Sequence, residues 1–408
     1  MVDELRPITR DEYERWNRVP YAGFSNIPER AEVAGWEHQL EPERTLVAIE
    51  DGEFVGTTAV LTFEMRVPGG AMLPTAGVTA VSVLPTHRRR GVLSAMMRRQ
   101  LKDVHERGEA LAALWASESL IYGRFGYGMA ILGERGRIER VRAAFRRPPP
   151  EESGGRVRLV QRDEARRRFP VIYARALEGH TGMVRHAETF WDTQYGPGPW
   201  EPQPEKSEPF LAIYQRDGLD EGYVTYRVSS ENTRPRELEV RQLYAATPEA
   251  HEALWRFIFG VDLVDVVTAR SRPVDDALPW LLEDPRRLER SVGDAAWLRL
   301  VDVETALAAR TYAASGRLVL GVRDRFCPWN DGTYALDVES DGTARCARVG
   351  DPPDLEADVD ALAAAYLGGT TVGTLARAGR VIEQQEGAVM AADAIFRTER
   401  APWCALHF

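Results

Sequence analysis

Cysteine is scarce. Cys327, Cys346 and Cys404 are the only three in 408 residues, odd in number and far apart, which argues against a disulfide framework and leaves no zinc-ligand spacing. Buried free thiols are the expected state. Long apolar runs are missing as well. No window approaches the eighteen or so consecutive apolar residues that a bilayer span needs, and the opening Met1-Val2-Asp3-Glu4-Leu5-Arg6 has neither the basic nor the apolar part of a secretion signal. Excess positive charge is absent: 52 Lys+Arg stand against 62 Asp+Glu, a net charge of −10. No extended basic stripe with interleaved aromatics is found, so nucleic acid is set aside as a partner. His38, His87 and His105 are isolated, and no metal is expected. A cytoplasmic protein without membrane insertion is the expectation, its acidity favouring cationic partners.

What is present is an ordinary globular composition, 44% hydrophobic and 28% charged, in a chain too long for a single core. Two or three domains are expected. Strand-like runs at residues 45–49 and 54–63 alternate with the turn signals Asp51-Gly52 and Pro68-Gly69-Gly70. The run from Arg146-Arg147-Pro148-Pro149-Pro150 to Gly154-Gly155 can neither continue a helix nor pair in a sheet, and a domain boundary is placed there. The middle segment reads as a helix over 162–177, strands near 209–214, 222–228 and 237–244, and a helix over 248–259. The aromatic, turn-rich run 191–200 is expected to be a surface loop. The third segment opens near Trp297 and combines strands and helices in an α+β pattern. The boundaries expected are 1–146, 147–292 and 293–408. The last six residues, Trp403-Cys404-Ala405-Leu406-His407-Phe408, are apolar and aromatic where termini are commonly polar, which implies a docked tail.

The most informative stretch is Val81-Ser82-Val83-Leu84-Pro85-Thr86-His87-Arg88-Arg89-Arg90-Gly91-Val92-Leu93. A short apolar strand meets an amphipathic helix through an arginine-rich turn. Leu93, Met96, Met97, Leu101 and Val104 form one helical face, and Gly108 suits a C-cap. The first N–H groups of such a helix have no internal partners and lie at the positive end of its dipole, so a phosphate is stabilised there. Arg89 and Arg90 would add charge-assisted donors. The same pattern also fits a plain βα connection whose arginines are merely solvated. The loop Ser117-Glu118-Ser119-Leu120-Ile121-Tyr122-Gly123-Arg124-Phe125-Gly126-Tyr127-Gly128 does not order its glycines as a dinucleotide fingerprint does.

The turn resembles the acetyl-CoA motif of the GNAT acyltransferases, R/Q-x-x-G-x-G/A, with Arg88 and Gly91 matching and Leu93 where a small residue is more common. Taken with the Tyr122–Gly128 loop, the proline-rich break, the third segment and the aromatic C-terminus, the whole chain resembles the Eis family of acetyl-CoA-dependent N-acetyltransferases. That resemblance implies a mixed α+β chain: two tandem GNAT-like domains, the second without a cofactor site, then a sterol-carrier-protein-like domain, usually assembled into a homohexamer. It implies that Val81, Ser82 and Val83 pair with pantetheine and that Arg89, Arg90, Gly91, Val92, Leu93 and Ser94 hold the pyrophosphate. Ser117 and Glu118 would lie beside acetyl-CoA, Phe24 and Trp36 would line the acceptor pocket, and Tyr122 and the Phe408 carboxylate would be general acid and base. An acidic residue commonly precedes the terminal aromatic in the family and helps hold cationic acceptors; here it is His407.

Those roles suit the chemistry. Acetyl transfer from a thioester needs a deprotonated amine and a departing thiolate that is protonated or otherwise stabilised. A phenol is a usable donor at neutral pH, and burial raises a terminal carboxylate toward basicity. A thioester is already activated, so Cys404 is read as packing. The acceptors implied are aminoglycoside-like or other polyamines; a protein lysine is the second reading. A lipid or sterol carrier with a non-catalytic GNAT scaffold is the third.

Overall fold

The computed structural model describes residues 2–25, 40–148, 154–197, 200, 203 and 205–407. Two compact units divide the chain: residues 1–131, 295–399 and 406–408 form the first, and 132–294 with 400–405 the second.

The first unit begins with strands β1 (Glu4–Arg6), β2 (Thr45–Glu50), β3 (Glu53–Arg66), β4 (Met72–Val83), β5 (Leu111–Trp115) and β6 (Gly128–Met129). β3 and β4 form a long antiparallel hairpin whose turn contains Gly69 and Gly70 at φ +90 and +95, a left-handed conformation that costs glycine little. The helix Val92–Glu106 buries Val92, Met96, Met97, Leu101 and Val104 and packs on β2, β3 and β4. The periodicity of its sequence foretells this face. Gln100, on the same face, is also buried and donates to Thr58 Oγ1 at 2.7 Å. Arg98, Arg99 and Lys102 lie on the other side, where Arg99 pairs with Asp103 one turn on.

The second unit is built on a seven-stranded sheet. Its strands are β7 (Leu132–Glu139), β8 (Gly155–Leu159), β10 (Phe210–Arg216), β11 (Leu219–Val228), β12 (Glu237–Ala245), β13 (Val266–Arg272) and β14 (Glu289–Asp294), in the order β14-β7-β13-β12-β11-β10-β8; a two-residue strand, β9 (Val184–Arg185), lies off it. The helices Arg162–Leu177 and Pro248–Phe259 match their sequence expectation. The expected loop at 191–200 is in part helix, Glu188–Tyr195. Its Trp191 and Tyr195 are core residues, Trp191 meeting Tyr173 edge-on at 5.5 Å, and this burial overrides the turn signals beyond it. In this unit Trp403 is anchored by its indole N–H on the Ser271 carbonyl at 2.7 Å, its backbone N–H on Thr181 and the Arg272 guanidinium 5.1 Å from its ring. The docked tail expected from composition is therefore present for residues 400–405.

β7 carries the chain into the second sheet before the proline-rich break is reached. The strand β15 (Ala296–Leu300), read from sequence as the opening of the third segment, lies in the first unit's sheet, antiparallel to both β5 and β6. That sheet runs β1-β2-β3-β4-β5-β15-β6. β16 (Gly316–Arg323), β17 (Gly332–Val338), β18 (Ala344–Arg348), β19 (Leu355–Asp358) and β20 (Val381–Glu383) then form a five-stranded sheet in the order β18-β17-β16-β19-β20. The helices Val359–Tyr366, Val372–Arg377 and Ala388–Phe396 accompany it. The sequence around Asp354 to Tyr366 reads as helical, but Leu355–Asp358 is strand and the helix begins at Val359.

Candidate active site

β4 and β5 pair in parallel, and their pairing covers Thr75–Gly77 against Leu111–Ala113. Beyond that register β4 continues to Val83 and β5 to Trp115 with no pairing to each other. Opposite the gap, β4 carries a bulge: Thr57 pairs with Ser82 and Ala59 with Thr79, so two residues of β4 face Thr58. Ala80 takes φ +50, and its carbonyl accepts a 2.9 Å bond from Thr57 Oγ1. A bulge bends its strand and redirects the residues beyond it. The end of β4, with Val81, Ser82 and Val83, is thereby turned from β5. The Ser82 hydroxyl points inward, donating to the Val19 carbonyl at 3.4 Å, so only the backbone of this segment is available to pair with an extended ligand.

The turn after β4 is pinned by Arg88, whose guanidinium donates to the Gly23 carbonyl at 2.8 Å and to Val83 at 3.4 Å. Gly91 is the N-cap of the helix at φ +84, and a Cβ there would meet nothing within 4 Å; backbone conformation, not crowding, selects glycine. No side chain caps this helix, and no acidic residue occupies its first turn. The orphan N–H groups of Val92, Leu93 and Ser94 and the positive end of the dipole are left for an anion. Arg89, exposed at φ +62, has no side-chain partner among the described residues. Arg90 is committed elsewhere, in an ion pair with Glu50. The donors left open here, the Arg89 guanidinium and the backbone N–H groups, fit a pyrophosphate, whereas Arg90 is already engaged.

Past β5, Ser117 and Glu118 are exposed and the short helix Ser119–Tyr122 follows. Tyr122 is buried at its end. Its hydroxyl has no hydrogen-bond partner among the described residues, and burial, aided by the nearby charge of Glu118, pushes its pKa up to about 12. The phenol is therefore protonated throughout the neutral range. Tyr127 meets it edge-on, ring centroids 6.0 Å apart. Phe24 ends the N-terminal helix and is 49% exposed, available as a pocket wall. His407 is exposed as a residue, yet its ring lies 5.1 Å from that of Trp115 and desolvation lowers its pKa. Trp36 and Phe408 lie outside the described residues.

Residues 4–130 and 182–300 each match a family described as an acetyltransferase (GNAT) domain, and 303–405 match a sterol carrier protein domain. The chain is 39% identical over 407 residues to an uncharacterized N-acetyltransferase of Streptomyces avermitilis, covering 99% of each. It is 34% identical to N-acetyltransferase Eis of Mycobacterium tuberculosis over the full length of both. The crystal structure of Eis1 from Mycobacterium abscessus superposes with a TM-score of 0.85 at 37% identity, covering 99% of this chain and 100% of that one. The chain belongs to the Eis family of GNAT N-acetyltransferases. It is an acetyl-transferring enzyme with two GNAT domains followed by a sterol-carrier-type domain, as the resemblance implied, and GNAT acetyltransferases use acetyl-CoA.

Three features of this Eis-family site are not reached by motif reading. The Thr57–Ala80 bulge depends on strand register, which no local pattern specifies. The anchoring of Arg88 on Gly23 spans a long sequence separation. Trp115, whose indole N–H is buried without a partner among the described residues, reads in sequence as the end of an apolar strand.

Proposed function

We propose that this Eis-family enzyme moves acetyl directly from acetyl-CoA to an amine of an aminoglycoside-like or other polyamine acceptor, in the first unit. Tyr122 acts as general acid and the α-carboxylate of Phe408, in this 408-residue chain, as general base. The observation that carries this reading is a buried, protonated Tyr122 on the segment that leaves β5, the strand from which β4 diverges above an uncapped helix N-terminus. The backbone at Val81–Val83 would hold the pantetheine arm; Arg89 and the N–H groups of Val92–Ser94 would hold the pyrophosphate. Ser117 and Glu118 would border the thioester, with Phe24, Trp36 and His407 lining the acceptor side.

As the amine nitrogen bonds to the acetyl carbon, the base takes the amine proton and the carbon–sulfur bond breaks. Tyr122 gives its proton to the departing sulfur. No acyl-enzyme is needed, and Cys327, Cys346 and Cys404 are all buried.

Among the described residues, the cavity on the third sheet lends no support to a lipid-carrier role. The apolar cavity between Leu318, Leu320, Leu362, Val372 and Phe396 holds about 20 Å³, the space of a single water molecule and far below that of a sterol. We also propose a homohexamer, as the family resemblance implies. The functional test is incubation with acetyl-CoA and a panel of aminoglycosides, polyamines and lysine peptides, following thiol release and product mass. Acetylated amine with equimolar thiol is expected. Acetylated enzyme in its place, or no release with any amine, overturns the reading.

A further inference from the structure

Beneath Tyr122 lies a buried polar cluster that folding alone does not account for. Arg299, in β15, is fully buried; Nη2 donates to Asp324, while Nε and Nη1 have no hydrogen-bond acceptor of sound geometry. The Cys327 thiol lies against it. The hydroxyl of Tyr127, another fully buried residue, is likewise unpartnered among the described residues. The two residues are near neighbours. A Cβ on Gly126, which sits at φ +83, would come within 2.5 Å of Arg299 Nη1, and the positive charge of Arg299 acts on the Tyr127 phenol. Tyr127 in turn meets Tyr122 edge-on with centroids 6.0 Å apart.

Leaving a buried hydroxyl unsatisfied, and two guanidinium nitrogens with no better partner than a thiol, is costly, and each such group in a native structure calls for an explanation. Phenylalanine at 127 would fill the same space at no polar cost. Catalysis offers the explanation. On the reading that Tyr122 is the acid, each turnover leaves a phenolate in a site where burial and Glu118 both oppose negative charge. The neighbouring Tyr127 ring carries a free O–H donor on which the Arg299 charge acts, and such a donor offsets that opposition.

We propose that Tyr127 and Arg299 are positioning residues for proton delivery: the Arg299 cation polarises the Tyr127 hydroxyl, and that hydroxyl supports the Tyr122 oxygen while its proton passes to the departing sulfur. The proton on Tyr127 does not leave. Tyr122 recovers its own from solvent once the thiol has formed. The groups with charge or titrating protons around this path are Glu118 at Tyr122, Cys327 at Tyr127, and Asp324 with Cys327 at Arg299.

The test is a double-mutant cycle on the full-length enzyme with acetyl-CoA and the faster of two amines, spermidine and a 2-deoxystreptamine aminoglycoside. Tyr127→Phe is expected to lower kcat at least tenfold, with KM for acetyl-CoA within twofold of wild type. Its melting temperature should be unchanged or higher, because only an unsatisfied hydroxyl is removed. The solvent deuterium isotope effect on kcat should increase as proton delivery becomes slow. Tyr122→Phe/Tyr127→Phe should be no slower than Tyr122→Phe alone. Arg299→Lys should slow the wild type but not Tyr127→Phe. A Tyr127→Phe enzyme within twofold of wild-type kcat, or losses that add in the double variant, overturns the proposal. If Tyr122→Phe is impaired while Tyr127→Phe is not, only this proposal falls; if Tyr122→Phe is fully active, the acid assignment falls and takes this proposal with it.

Discussion

The His407 ring lies 5.1 Å from the Trp115 ring, tilted by 45°. Trp115 is the last residue of β5, so the penultimate residue of the chain meets the strand end from which the segment carrying Tyr122 departs. Leu406 and His407 belong to the first compact unit.

A short C-terminal tag should therefore abolish turnover without weakening acetyl-CoA. It converts the Phe408 carboxylate into an amide with no basicity near neutral pH and drives polar residues toward an apolar site. Deleting Phe408 withdraws the carboxylate by about 3.5 Å, too far for proton transfer. Titration calorimetry with acetyl-CoA and turnover of tagged and untagged enzyme decide the matter; a fast C-terminally tagged enzyme removes the carboxylate from the mechanism.

At the phosphate turn the arginines should separate. Arg89→Ala, which removes a guanidinium with no side-chain partner among the described residues, is expected to weaken acetyl-CoA by at least tenfold, the loss of one charge-assisted bond worth about 1.5–3 kcal/mol. Arg90→Ala should cost several-fold less, because Glu50 already engages that side chain. Arg88→Ala should weaken binding through displacement of the turn from Gly23. Equal effects at 89 and 90 would contradict the geometry of the turn.

Tyr122→Phe should lower kcat about a hundredfold, a typical contribution of general acid catalysis, with little change in acetyl-CoA affinity. It also has a signature in stability. The folded phenol titrates at about 12 against an ordinary value of 10.0, so the benefit of burying it neutral is fully present below pH 10 and is lost as pH rises toward 12. Between pH 9 and 11 the wild type should lose roughly 1.4 kcal/mol relative to Tyr122→Phe. Denaturant melts of both proteins across that range provide the check; parallel curves would place the hydroxyl in water.

His407 is expected to set the acceptor's charge preference. Its pKa is lowered from 6.5 by desolvation, so the ring is neutral at pH 7 and becomes cationic only in acid. KM for a polycationic amine should then rise only as pH falls below the ordinary histidine value of 6.5, and His407→Glu should lower KM at pH 7 and remove that rise. An unchanged KM in the variant would remove residue 407 from the acceptor site.

The parts of this architecture visible in the sequence are those encoded locally. The helix Val92–Glu106 declares itself by its apolar face and by Gly91, and Arg162–Leu177 and Pro248–Phe259 do so with similar clarity. The Tyr122 loop stands out by its glycines and aromatics. Pairings between distant segments are not so encoded: nothing near Trp297 shows that its strand inserts between β5 and β6, and nothing in Thr57 announces that it holds the carbonyl of Ala80. Arg299 leaves a trace, a lone charge inside the apolar run Ala296–Leu300, where a central strand tolerates one only with a partner such as Asp324. The helix at Glu188–Tyr195 is masked by the glycines and prolines immediately after it.

The place of β15 in the first sheet has a consequence for protein synthesis. β5 has its permanent neighbour on that side only after residue 300 has been made, although β1 to β6 are complete by Met129. At about 5–20 residues per second, the nascent chain carries an open sheet edge for on the order of 10–30 s while the whole second sheet is being translated. Such an edge is a template for pairing with another chain. Yield in a heterologous host should therefore respond to slower translation or to chaperone supply. Fragments ending at the proline-rich break should aggregate, however well their own helix and hairpin are specified.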